Sequence, residues 1–170
     1  MYSAHTDYTF VSGNCLFDSL AYALTHHGWD GDGMQLRELV LEAVRQGGDH
    51  VNAAVAHWVE LCNLPEYRFA GCVKNEQQPL DAEQRNKLAA QMRNVNKYWG
   101  DDFSLQVLSN KLKLRVTVLR CGTAAFIQPQ LNTPTHTVIL ALKNAHYTPV
   151  SFDDEFLVDT HGRPLKPHPH

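Results

Sequence analysis

The hydrophobic period of this chain changes once, just before Leu114, and that change limits the fold more than any other feature of the sequence. Ahead of it, apolar residues recur at helical spacing. Leu16, Leu20, Ala23 and Leu24 form a first set, with Gly28 as a stop. Leu36, Leu39, Val40, Ala43 and Val44 form a second, ended by Gly47-Gly48, and Asp49 caps a third that carries Val51, Val55, Trp58 and Val59. Residues 70–79 are polar and unpatterned, hence a surface loop. Residues 81–96 return to a helical pattern, with Leu88, Met92 and Val95 inward and Glu83, Arg85, Lys87 and Arg93 in solvent. After Tyr98-Trp99-Gly100, either Asp101 or Asp102 caps a helix through Phe103, Leu105, Leu108 and Leu112. Beyond the change, residues 114–119 and 136–142 are rich in β-branched side chains and read as strands. Residues 124–127, 146–150 and 155–158 supply shorter ones, with Asn144-Ala145 as a tight connection. Helices first and mostly antiparallel strands afterwards describe an α+β fold, a helical cluster packed on a small sheet.

A chain of 170 residues can bury one sizeable core, so residues 1–161 are expected to form one domain and 162–170, with three prolines, a disordered tail. The net charge of -3 argues against nucleic acid, which needs clustered Lys and Arg to displace counterions from phosphates. No apolar run approaches the ~18 residues that span a bilayer, and Met1-Tyr2-Ser3-Ala4-His5 lacks the basic and apolar regions of a signal peptide. A soluble, cytoplasmic monomer is expected, in the host cytosol if the chain is a pathogen effector or a viral protein. Cys15, Cys62, Cys72 and Cys121 lie far apart, unlike the dense framework of a disulfide-built domain, and read as reduced thiols.

Ser12-Gly13-Asn14-Cys15 sets a flexible turn directly before an apolar helix. The Cys15 thiol then lies where unpaired N–H groups and the positive helix end converge, a position that favours a thiolate. The same N–H groups can receive an oxyanion. A cysteine opening a helix is also simply a small buried apolar residue in many proteins, and a nucleophile needs a base. Of ten histidines, His146 is the best placed, at the start of a strand just past a turn, whereas His26, His27, His50 and His57 read as partly exposed helix residues.

Gly13-Asn14-Cys15-Leu16-Phe17 followed by Ser19 resembles the nucleophile motif of the ovarian tumour (OTU) family of deubiquitinating cysteine peptidases. Trp99-Gly100-Asp101-Asp102-Phe103 resembles that family's central segment, and Val138-Ile139-Leu140-Ala141-Leu142 with His146-Tyr147 resembles its closing histidine motif. The resemblance implies an OTU-like, papain-like fold in which Cys15 is the nucleophile, His146 the general base, and the backbone of Ser12, Gly13 and Asn14 the oxyanion hole. It implies ubiquitin, polyubiquitin or a ubiquitin-like conjugate as substrate, an isopeptide bond as target, and no metal or other cofactor. Trp99 and Tyr147 are candidates for the substrate channel.

Ser12 stands where the family usually has Asp, and Thr148 where Asp or Asn usually orients the histidine. Thr148 can accept from the imidazole but offers no charge. Asp7 is the alternative acid, and the two stay equal. Three other readings compete: an OTU-fold ubiquitin-binding module with weak turnover, a polyprotein-processing cysteine peptidase, and a zinc site of His57, Cys62 and Cys72. Against the last, Cys62 and Cys121 read as packing residues.

Overall fold

The computed structural model describes residues 2–4, 13–73, 78–130 and 133–158. Within them lie five α-helices and a six-stranded mixed sheet, the α+β arrangement expected from the change of period. The expected tail at 162–170, along with Asp7 and Ser12, falls outside the described residues.

Helix α1 (Cys15–Thr25) is apolar almost all round. Leu16, Phe17, Leu20, Ala23 and Leu24 are buried, so α1 is the central helix, held between the sheet and α2 (Gly33–Gln46). Truncating Leu16, Phe17, Leu20 or Leu24 to Ala costs about 2 to 5 kcal/mol. A capping box starts α2: Asp32 accepts from the Gln35 N–H and Gln35 reaches back to the Asp32 N–H. Helix α3 (Asp49–Leu61) differs from expectation at its start, because Gly48 occupies the cap position at φ 118° and Asp49 is already helical. Helix α4 (Ala82–Met92) has a capping box of Asp81 and Gln84 and ends four residues earlier than its apolar pattern suggested. Asp101 rather than Asp102 caps α5 (Asp102–Leu112), and Lys113 at φ 55° turns the chain directly into the sheet.

The sheet contains β2 (Leu114–Arg120), β3 (Thr123–Ile127), β4 (His136–Lys143), β5 (His146–Phe152) and β6 (Leu157–Val158), together with β1 (Tyr2–Ala4). The strand order is β1-β5-β4-β2-β3, with β6 beside β4. Only β2 and β4 run parallel. That follows from connectivity: β3 doubles back at the edge, and the chain reverses again before entering β4 on the other side of β2. Asn144 and Ala145, at φ 53° and 60°, form the two-residue turn between β4 and β5, both positive as a turn matched to strand twist requires. Helices and strands share one apolar cluster, in which Val116, Val118, Val138 and Leu140 of the sheet meet the inner faces of the helices.

Candidate active site

Gly13 makes the sharp approach to Cys15 possible. It sits at φ 90°, and a Cβ there would lie 2.0 Å from the Val95 carbonyl oxygen, a collision no other residue avoids. The chain then enters α1, whose first turn carries the thiol. Cys15 is only 2% exposed, and its sulfur accepts a hydrogen bond from the Tyr147 N–H at 3.4 Å. One turn along, the Ser19 hydroxyl donates to the Tyr147 carbonyl at 3.0 Å. Helix α1 is therefore pinned to β5 at both backbone groups of one residue, the residue that follows His146. This gives Ser19, a member of the nucleophile motif, a physical role.

His146 is exposed and opens β5, paired with Lys143 across the turn, while Tyr147 is buried. Alternation along the strand puts Thr148 on the same side as His146, and Thr148 is buried. Among the described residues, no hydrogen bond joins the imidazole to the Cys15 sulfur or to the Thr148 hydroxyl.

The electrostatics at Cys15 run against the expectation that the converging N–H groups and the positive helix end favour a thiolate. Burial pushes the thiol up from its ordinary value, and the hydrogen bond from Tyr147 and the N–H groups of Leu16 and Cys15 offset this only in part. Asp18 adds to the upward push.

Asn14 contributes more than the backbone expected of it. Its side-chain amide donates to Asp18 Oδ1 at 2.8 Å and accepts from Arg37 Nε at 3.0 Å. Arg37 is fully buried. Its Nη2 donates to the Gly13 carbonyl at 2.8 Å, its Nη1 to the Met92 and Tyr98 carbonyls at 2.7 and 2.6 Å, and its guanidinium lies 4.6 Å from the Phe17 ring centre. Burial lowers its pKa to about 10, which leaves it cationic at neutral pH. Sequence reasoning passed over Arg37, although the signal was there: it shares the buried stripe of Leu36, Val40, Leu41 and Val44, where a charge needs a reason.

Trp99 and Tyr147, the channel candidates, both line a cavity of about 310 Å³. Trp58, Asp101, Phe103 and Ala145 also face it, and the wall reaches the Gly13-Asn14 loop, since Trp99 Cδ1 is 3.0 Å from where a Gly13 Cβ would stand.

Other sequence expectations change. Cys62 and Cys121 are exposed rather than packed, and Cys121 occupies the turn between β2 and β3 at φ 37°. His27 is buried and lies 3.7 Å from Glu155. Among the described residues, no three His, Cys, Asp or Glu side chains are grouped to hold a metal, so His57, Cys62 and Cys72 do not assemble a zinc site.

A helical cluster packs on a mixed sheet, and a cysteine at the start of the central helix lies against the strand that begins with a histidine. The family model for OTU-like cysteine proteases matches residues 11–162, and the chain belongs to that family. No curated protein gives a significant sequence match. Among solved structures, an OTU domain in complex with ubiquitin shares 13% identity at a TM-score of 0.56, covering 93% of this chain and 74% of its own. An OTU deubiquitinase from Wolbachia pipientis wMel shares 16% identity at a TM-score of 0.57, covering 96% of this chain and 92% of its own. An OTU deubiquitinase from Wolbachia pipientis wMel bound to ubiquitin gives 15% identity and a TM-score of 0.53, with coverage of 94% of this chain and 97% of its own. These likenesses establish the fold.

Proposed function

We propose that the protein is a deubiquitinase, a cysteine peptidase that cleaves the isopeptide or peptide bond at the C-terminus of ubiquitin or a ubiquitin-like modifier. The observation that carries this reading is the Cys15 sulfur lying against the peptide that joins His146 to Tyr147. The base comes from the exposed start of the same strand, one residue before Tyr147. The His146 imidazole takes the thiol proton, the sulfur attacks the carbonyl carbon, and the oxygen gains negative charge facing the N–H groups of the Gly13-Asn14 loop. Collapse breaks the C–N bond, the imidazolium gives its proton to the leaving amine, and a thioester remains. Water, deprotonated by His146, hydrolyses the thioester and restores the thiol. Ubiquitin as partner is supported by relatives of the same fold solved in complex with it. The cavity beside Trp99 and Tyr147 is the channel for the substrate's extended tail. A reduced thiol suits the cytosol.

The neutral thiol and its lack of a hydrogen bond to His146 favour a second reading, a ubiquitin-binding module with little turnover. A ubiquitin substrate with a fluorogenic C-terminal amide separates the two. Turnover that Cys15→Ala and His146→Ala each abolish, in folded protein, supports the peptidase. Binding with no turnover in the wild type supports the module. If turnover is present, Thr148→Val and Asp7→Asn assign the third group by which of them lowers kcat/KM.

A further inference from the structure

We infer that Arg37 is a positioning residue for the reaction at Cys15, fixing the nucleophile loop so that its backbone N–H groups face the developing oxyanion. The inference rests on the peptidase reading. Arg37 spreads its donors over three segments: the loop at Gly13 and Asn14, the end of α4 at Met92, and the turn at Tyr98 that leads into Trp99-Gly100. One rigid fork thus sets the spacing between the nucleophile loop and the aromatic wall of the cavity.

The grip on Gly13 has a directional consequence. A trans peptide is planar, with its C=O and N–H on opposite sides. With the Gly13 carbonyl drawn inward to the buried guanidinium, the Asn14 N–H of the same peptide must point the other way, out of the core. Among the described residues that N–H has no hydrogen-bond partner, although Asn14 itself is buried. A free donor beside a nucleophile is what an oxyanion needs. Stability alone does not require a cation here, because well-packed apolar residues commonly replace a buried ionic group without loss.

The test uses the whole chain and two reactions of the same sulfur. Hydrolysis of a ubiquitin C-terminal amide passes through an oxyanion, whereas displacement of iodide from iodoacetamide does not. Arg37→Lys keeps the charge and loses the fork. It is expected to lower kcat by roughly tenfold to a hundredfold, since misaligning a preorganised group by about 1 Å costs that much. KM should stay within about twofold, and so should the alkylation rate of Cys15, followed by peptide mass. Asn14→Ala removes one of Arg37's partners and leaves the guanidinium in place, so it carries the test if Arg37→Lys does not fold. The same pattern with a smaller fall in kcat is expected from it. Unchanged kcat in both variants, or a fall in kcat matched by an equal fall in alkylation, overturns the assignment. A wild type without turnover removes the peptidase reading and this inference with it, whereas an active wild type with unaffected variants removes only the inference.

Discussion

Cys15 is where opposing influences on one proton are balanced. The helix start and the Tyr147 N–H favour the thiolate, burial favours the thiol, and burial wins. The sign for reactivity follows: a raised pKa lowers the thiolate fraction at neutral pH, so attack by the Cys15 sulfur on any electrophile slows. The rate of Cys15 alkylation by iodoacetamide should therefore climb about tenfold per pH unit and show no plateau below the ordinary thiol value of about 8.5. Mass-resolved alkylation between pH 6 and 10 measures it. A plateau at or below pH 7 would mean that His146 already holds the sulfur as an ion pair in the resting protein, contrary to the geometry described.

The β4–β5 hairpin delivers His146, and its turn is made with an imperfect residue. Ala145 occupies a left-handed conformation that costs an L-residue about 1 to 2 kcal/mol. Glycine removes that cost but gains freedom in the unfolded chain worth about 0.4 to 1 kcal/mol. Ala145→Gly should thus stabilise the protein by about 0.5 to 1 kcal/mol, read as a Tm higher by about 2 °C. A Tm that falls would show that the turn is not of this type. At this scale most of the fold was legible, because α1, α2, α4, α5, β2, β4 and the hairpin each carry a period or a turn signal in local sequence. What escaped has physical reasons. Three exposed residues of β1 have no pattern to read, since apart from the Tyr2–Phe152 ring contact at 4.8 Å they are held to β5 by the backbone ladder. Gly48 displaced Asp49 from its cap because only the glycine tolerates the required φ. Within the site, Cys15, Gly13 and His146 were legible as a motif; Arg37 showed only as a charge on an apolar stripe, and its role did not, because its partners are carbonyls from distant segments that leave no trace in the local pattern.

Across the molecule, Asp101 ties together parts that the chain separates. Its carboxylate accepts from the Trp58 indole at 2.5 Å, the Tyr67 hydroxyl at 3.1 Å and the Tyr98 hydroxyl at 2.6 Å, while capping α5 through the Ser104 N–H at 3.2 Å. Asp101→Ala loses a cap worth about 1 kcal/mol and leaves covered donors unpaired at about 1 to 3 kcal/mol each. Urea unfolding should show a loss of about 3 kcal/mol or more, with Asp101→Asn losing less. A loss under about 1 kcal/mol would mean that α3 and α5 are held together without this carboxylate. The four thiols are unevenly placed over the same molecule: Cys15 and Cys72 are covered, whereas Cys62 and Cys121 meet solvent. Peroxide attacks accessible thiolates first. Oxidative ageing should then fall on the Cys121 hairpin tip and on Cys62, joining molecules into covalent pairs while the sheltered Cys15 remains reduced.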